Sequence, residues 1–197
     1  DWAEKLLKSM REHNYLLYDK YLFYYYNSLY YNYYVVDRKK AKKILIEASE
    51  DEVIQRESLN ITFIILQLAV FYFDESEFKS SRRQLTRLQL NDGFDKLDAG
   101  LRIKLLMLEI MTIVEQEDAD LVEEKLRRIR SEFGKLNWSE AGCEREEKML
   151  ELIPLMIISR NEKETALLED KIVQLKTLDG RSDLVNYEEW IERKMNQ

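Results

Sequence analysis

Two kinds of amphipathic helix alternate between Leu59 and Leu136, and no other feature of the sequence restricts the fold as strongly. Leu59 to Phe73 carries two apolar stripes at helical spacing: Leu59, Phe63, Leu66, Val70 and Phe73 form one, and Ile61, Ile64, Ile65, Leu68 and Phe71 form the other. Phe78 to Leu90 carries one narrow stripe, Phe78, Leu85 and Leu88, surrounded by Lys79, Arg82, Arg83 and Arg87. Leu97 to Val114 is two-faced again, through Leu97, Leu101, Leu105 and Leu108 and through Ile103, Leu106, Ile110 and Ile113. Leu121 to Leu136 returns to a single face, Leu121, Val122, Leu126, Ile129 and Phe133, opposite Glu123, Glu124, Arg127, Arg128 and Arg130. A helix with two apolar sides needs neighbours on both, and one with a single apolar side keeps the other in water. Their alternation predicts stacked antiparallel hairpins, each an inner helix followed by an outer one.

The segments between them agree. Phe73-Asp74-Glu75-Ser76 and Glu117-Asp118-Ala119-Asp120 are short and acidic, with side-chain oxygens suited to capping the free N–H groups of the next helix. On the N-terminal side, Trp2 to Arg11 reads as a short outer helix with Trp2, Leu6, Leu7 and Met10 on one side. Tyr15 to Val36 is ringed by Tyr15, Tyr18, Tyr21, Phe23, Tyr24, Tyr25, Tyr26, Tyr30, Tyr31, Tyr33 and Tyr34, so it is expected to be an inner helix covered by its neighbours. Asp37 is expected to cap Arg38 to Ala48, whose Ala41, Ile44, Leu45 and Ala48 make one narrow face.

On the C-terminal side, Ser139 is expected to cap a long helix to about Ile158, with Met149, Leu152, Ile153 and Met156 buried and Pro154 kinking or restarting it. Glu162 to Leu178 would be its outer partner through Leu168, Ile172 and Leu175. After a loop at Asp179-Gly180-Arg181, Leu184 to Met195 would close the stack with Tyr187, Trp190 and Ile191. Joints at Asp37, Asp74, Asp118 and Glu162 are separated by 37, 44 and 44 residues. The expectation is an all-α solenoid of about four irregular repeats plus a terminal capping helix, a single domain over residues 1–197.

Composition enters as an exclusion. One Pro and five Gly in 197 residues leave strands without turn punctuation. A net charge of −7 disfavours a nucleic-acid partner. The greasiest run, Ile61 to Phe73, is 13 residues long, below the roughly 18 to 20 that cross a bilayer, so no membrane insertion is expected. The lone Cys143 excludes an intramolecular disulfide and fits a cytoplasmic location, and Glu144, Glu146 and Glu147 beside it oppose a thiolate. The sequence opens at Asp1 without an initiator Met, which is expected of a fragment of a longer chain.

The joint Leu68-Ala69-Val70-Phe71-Tyr72-Phe73-Asp74-Glu75-Ser76-Glu77-Phe78 resembles that of the tetratricopeptide-repeat superfamily in its long-helix form, where a long helix ends in a tight turn and Tyr or Phe opens the next. Glu115 to Phe133, and Tyr187-Glu188-Glu189-Trp190-Ile191-Glu192-Arg193-Lys194-Met195, are similar to the C-terminal portion of uncharacterised bacterial tetratricopeptide-type proteins. The family consensus of W-x2-L-G-x2-Y, A-x3-F and a closing Pro is absent, and Asp74-Glu75-Ser76 stands where Gly and Asn are common. The resemblance implies a repeat architecture and a role in protein–protein contact. It transfers no ligand-binding residues.

Catalysis, cofactor and metal are not expected. His13 is the only histidine, Asp118-Ala119-Asp120 lacks the remaining ligands and Gly of a calcium loop, and Gly93, Gly100, Gly134, Gly142 and Gly180 are scattered singly rather than forming a phosphate loop. The basic clusters Arg38, Lys39, Lys40, Lys42 and Lys43, then Lys79, Arg82, Arg83 and Arg87, then Lys125, Arg127, Arg128 and Arg130 read as solvated outer faces with i,i+4 pairing. The function expected is that of a non-catalytic scaffold for protein–protein interaction. The alternative is a regulatory domain of a transcription regulator or signalling protein whose effector segment lies outside this chain. Its partner would be another protein, an upstream part of its own chain, or a second copy meeting the N-terminal aromatic end. Candidate partner-binding residues are Trp2, Tyr18, Tyr24, Tyr25, Tyr26, Tyr30, Tyr31 and Tyr34, because tyrosine offers large contact area at low entropic cost. For the core, an Asp at Leu106 is expected to cost several kcal/mol, and one at Thr112 less.

Overall fold

Helical periodicity is realised throughout: among the described residues the regular elements are eleven α-helices and one 3-10 turn. The structure is a computed structural model that describes residues 2–158 and 162–196. The chain divides into two compact units, Asp1–Lys96 and Leu97–Gln197.

In the first unit, α1 (Trp2–His13), α2 (Tyr15–Tyr34), α3 (Arg38–Glu50), α4 (Glu52–Arg56), α5 (Ser58–Asp74) and α6 (Phe78–Gln89) precede the 3-10 turn Phe94–Lys96. Side-chain caps set several starts: Asn14 accepts from Leu17 N–H at 3.2 Å, Asp37 from Lys40 N–H at 3.0 Å, and Asp51 from Val53 N–H at 2.8 Å. Helix α2 packs on α1, α3 and α4, α3 on α5, and α5 on α6. Ile61, Ile64, Ile65, Leu68 and Phe71 of α5 form the core with Leu22, Leu45, Ile54, Leu85 and Leu88. The second stripe of α5 is only half covered, since Leu66 and Phe73 are buried while Leu59 and Phe63 are exposed.

The joint between α5 and α6 is a Schellman motif. Glu77 N–H donates to the Tyr72 carbonyl at 2.8 Å and Ser76 N–H to the Phe73 carbonyl at 2.9 Å, with Ser76 left-handed at φ 58°. No side chain caps α6. The acidic residues expected to do so are used elsewhere, as described below.

In the second unit, α7 (Ala99–Val114), α8 (Ala119–Phe133), α9 (Glu144–Ile158), α10 (Glu162–Lys176) and α11 (Tyr187–Met195) follow one another. Helix α7 packs on α8 and α9, and α9 on α8 and α10. Every residue of α7 from Ile103 to Ile113 is buried. Asp98 and Asp118 cap α7 and α8 through Leu101 N–H at 2.9 Å and Leu121 N–H at 3.2 Å. Leu97, expected in the helix, is buried ahead of that cap. Ser139 does not cap α9, which starts five residues later. A turn intervenes, in which Cys143 N–H donates to the Trp138 carbonyl at 2.8 Å and Gly142 is left-handed at φ 64°.

Pro154 lies inside α9 without ending it. The ring removes the hydrogen bond to Leu150, and the Arg130 guanidinium donates to that carbonyl instead, at 2.8 Å. Tyr187, Trp190 and Ile191 of α11 are buried. The expected joint before Glu162 falls on residues 159–161, outside the described residues. Among the described residues no helix is long and apolar enough to cross a membrane.

Candidate functional site

The tyrosines of α2 divide by helix face. Tyr18 and Tyr30 are buried with Leu22, and Tyr25, Tyr26, Tyr33 and Tyr34 are half-buried. Tyr24 and Tyr31 are 60% and 62% exposed, Tyr15, Leu17 and Tyr21 are exposed beside them, and Trp2 of α1 is 76% exposed. Full coverage of the aromatic ring, expected from the sequence, is not found. Helices α1, α3, α4 and α5 surround one side of α2 only, and the phenol hydroxyl lets a tyrosine lie half in water without leaving a polar group unsatisfied. Of the eight candidate residues, Tyr18 and Tyr30 are therefore withdrawn from any partner-facing surface, whereas Trp2, Tyr24 and Tyr31 face outward.

Burial also marks the inner tyrosines electrostatically. It pushes the Tyr26 phenol up to about 12 and raises those of Tyr18, Tyr25, Tyr30 and Tyr34 as well. Tyr30 packs its ring 5.3 Å from Tyr34 and 5.2 Å from Tyr31, and Phe23 lies 6.4 Å from Phe63 of α5. These rings pack on one another and on α5.

Next to the rings, the joints of two hairpins meet. Tyr34 hydroxyl donates to Asp74, Arg38 Nε to Glu75 Oε1 at 2.8 Å, and Lys42 Nζ to Glu77 Oε1 at 2.6 Å. The Arg38 guanidinium also lies 4.0 Å from the Tyr34 ring centroid and 4.7 Å from that of Phe71. Arg38 and Lys42 are thus taken up by the acidic turn of the following hairpin rather than left in a basic stripe. Pairing at i,i+4, expected for these clusters, occurs for Lys43 with Glu47 at 3.5 Å and Arg127 with Glu123 at 3.9 Å.

Sequence reasoning missed a buried polar cluster in the second unit. Arg145 donates through Nε to Asp183 at 2.9 Å, through Nη1 to the carbonyls of Leu175 and Leu178 at 2.9 and 2.8 Å, and through Nη2 to Glu188 at 3.3 Å. Tyr187 hydroxyl donates to Glu146 at 2.8 Å, and Lys104 Nζ to the backbone and hydroxyl oxygens of Ser182 at 2.9 and 2.8 Å. Burial pushes the Asp183 carboxyl up to about 6, with Arg145 opposing the rise and Glu146 adding to it. Two signals pointed here: Arg145 stands in the first turn of a helix, where the macrodipole disfavours a cation, and Lys104 interrupts an otherwise apolar run. A side chain at Gly180 would come within 3.1 Å of the Arg145 guanidinium, so glycine there admits the close approach.

This cluster clamps the segment from Leu175 to Glu188 onto α9 and contains no paired nucleophile. Cys143 is buried, and burial raises its thiol to about 11, away from the thiolate. His13 ends α1 on the surface, its Nδ1 3.0 Å from the Ser9 carbonyl. Among the described residues no three His, Cys, Asp or Glu side chains are grouped to hold a metal ion. Comparison of the chain with protein-family models, with curated proteins and with solved structures finds no match.

Proposed function

We propose that the chain is a non-catalytic helical-repeat interaction module of the tetratricopeptide-like kind, whose hairpins stack as a solenoid and whose open side of α2 receives another protein. The observation that carries this reading is the outward side of α2. Tyr21, Tyr24 and Tyr31 stand exposed on a helix whose opposite side is anchored by the buried Tyr18, Leu22 and Tyr30. A rigid row of rings loses little entropy on contact and covers a large area, which is what residues that dominate interfaces do. The repeat reading is supported by the meeting of equivalent joints, where Tyr34, Arg38 and Lys42 of one hairpin engage Asp74, Glu75 and Glu77 of the next.

The test is site-specific photocrosslinking in cells, with the crosslinker at Tyr24 or, as a control, at the exposed Lys79 of α6. Discrete protein adducts from Tyr24 and none from Lys79 are expected, and Tyr31→Glu should abolish them. Equal labelling from both positions would remove the case for α2.

A further inference from the structure

The open side of α2 has a spacing of its own. Leu17, Tyr21, Tyr24, Ser28, Tyr31 and Val35 follow at intervals of four, three, four, three and four residues, and all six are exposed. This is the 3.5-residue seam along which one helix packs on another. Resting on the reading that this side receives a protein, we infer that its occupant is the same helix of a second copy, packed antiparallel about a two-fold axis midway between Tyr24 and Ser28.

Size, shape and charge each favour that occupant. At about 200 Å² for each aromatic side chain and the observed exposures, the α2 line presents on the order of 600 Å² per copy, and the exposed Phe63 beside Phe23 extends it toward the roughly 800 Å² per partner that stable dimers bury. With the axis at that level, Leu17 meets Val35 of the second copy, Tyr21 meets Tyr31, and Tyr24 meets Ser28, whose small side chain leaves room for the ring. Within α2 the charge nearest the seam is Lys20, 5.8 Å from the Tyr21 ring. Antiparallel packing sets Lys20 level with Asn32 of the second copy, toward the carbonyl end of that α2, which favours a cation. Parallel packing would set Lys20 against Lys20. An isologous arrangement of this kind closes on itself and stops at two copies.

Sedimentation velocity over a concentration series tests association, and cysteine pairing tests register. The 197-residue chain is expected to pass from monomer to dimer. Tyr24→Glu, and Ser28→Tyr, which fills the space opposite Tyr24, should each weaken association at least 100-fold while the helical circular dichroism spectrum is retained. Oxidising a mixture of Leu17→Cys and Val35→Cys chains should give a disulfide-linked heterodimer, and neither alone should crosslink; the native Cys143 is buried and adds no background. Crosslinking of Leu17→Cys with itself would mean parallel packing and overturn the inference. So would a chain that stays monomeric at high concentration. If that monomer still captures a different protein through a crosslinker at Tyr24, the second copy is wrong and the interaction reading stands; if it captures none, both fall.

Discussion

Helices α2 and α7 both read as inner helices, yet they have opposite fates. The first carries rings on every side and leaves one side in water, whereas the second carries Lys104, Glu109 and Thr112 and is buried around its whole girth. Coverage depends on how many neighbours arrive, and polarity inside depends on whether partners arrive with them. Each of these three is met: Lys104 by Ser182, Glu109 by Lys125 at 2.8 Å, and Thr112 by the Leu108 carbonyl at 2.7 Å. On α2 the same tolerance works outward, because a phenol can stay wet at its rim.

The sharpest way to break this contrast is to place one charge on each helix. Thr112 is 0% exposed and its hydroxyl is already bonded within the helix, so Thr112→Asp should cost about 3–5 kcal/mol in urea denaturation. Leu106→Asp should fall in the same range rather than above it, since Leu106 at 6% exposed is no more enclosed than Thr112. At a concentration low enough to keep the chain monomeric, Tyr24→Asp should change stability by no more than about 0.5 kcal/mol. A costly Tyr24→Asp would mean that α2 is covered after all.

Two arginines extend the contrast to ion pairs. Arg145 is 4% exposed and serves two carboxylates and two carbonyls, so Arg145→Met should lose about 3–5 kcal/mol by stranding them. Arg38 makes its pairs with Glu75 and Asp74 at a partly wet joint, and Arg38→Met should lose at most about 1 kcal/mol, less at high salt. Equal losses would place the two clusters in the same dielectric environment.

The helical class was legible because apolar periodicity reports directly on helices, as the buried stripes of α5, α7 and α8 bear out. Less legible was which side of α2 is open, since a residue's type does not count the helices around it. Arg145 and Asp183 lie 38 residues apart, and their pairing depends on where the chain returns after α10, which local pattern does not encode. The acidic turn at Asp74 misled for a related reason: its carboxylates look like caps, and Arg38 and Tyr34 outcompete the backbone for them.

The clamp should also be visible in pH dependence. Asp183 has an ordinary value of 3.8 and a folded value of about 6, so the folded chain holds that proton more tightly than the unfolded chain. Its stabilising contribution is complete below about pH 4 and is lost as pH rises through about 6, an effect on the order of 2 kcal/mol. Asp183→Asn cannot ionise and should flatten the stability profile between those pH values. An unchanged slope would show that the carboxyl titrates as it does in water.

The smallest effect concerns something the two units share. Ser76 and Glu117 each stand near the end of a long helix with φ of 58° and 60°, where an L side chain crowds the neighbouring carbonyl. Glycine relieves that crowding but adds freedom to the unfolded chain, so Ser76→Gly should stabilise by only about 0.5–1 kcal/mol. The Schellman bonds of Ser76 and Glu77 would be kept, because they use backbone alone. Glu117→Gly should gain a similar amount, since its N–H likewise donates to the Val114 carbonyl at 3.1 Å. Thermal unfolding of the two variants separates the possibilities: matching gains mean that both joints turn the chain by the same backbone device despite the different coverage of the helices around them. A loss at Ser76 with a gain at Glu117 would mean that the serine side chain holds the first joint in a way the second does not need.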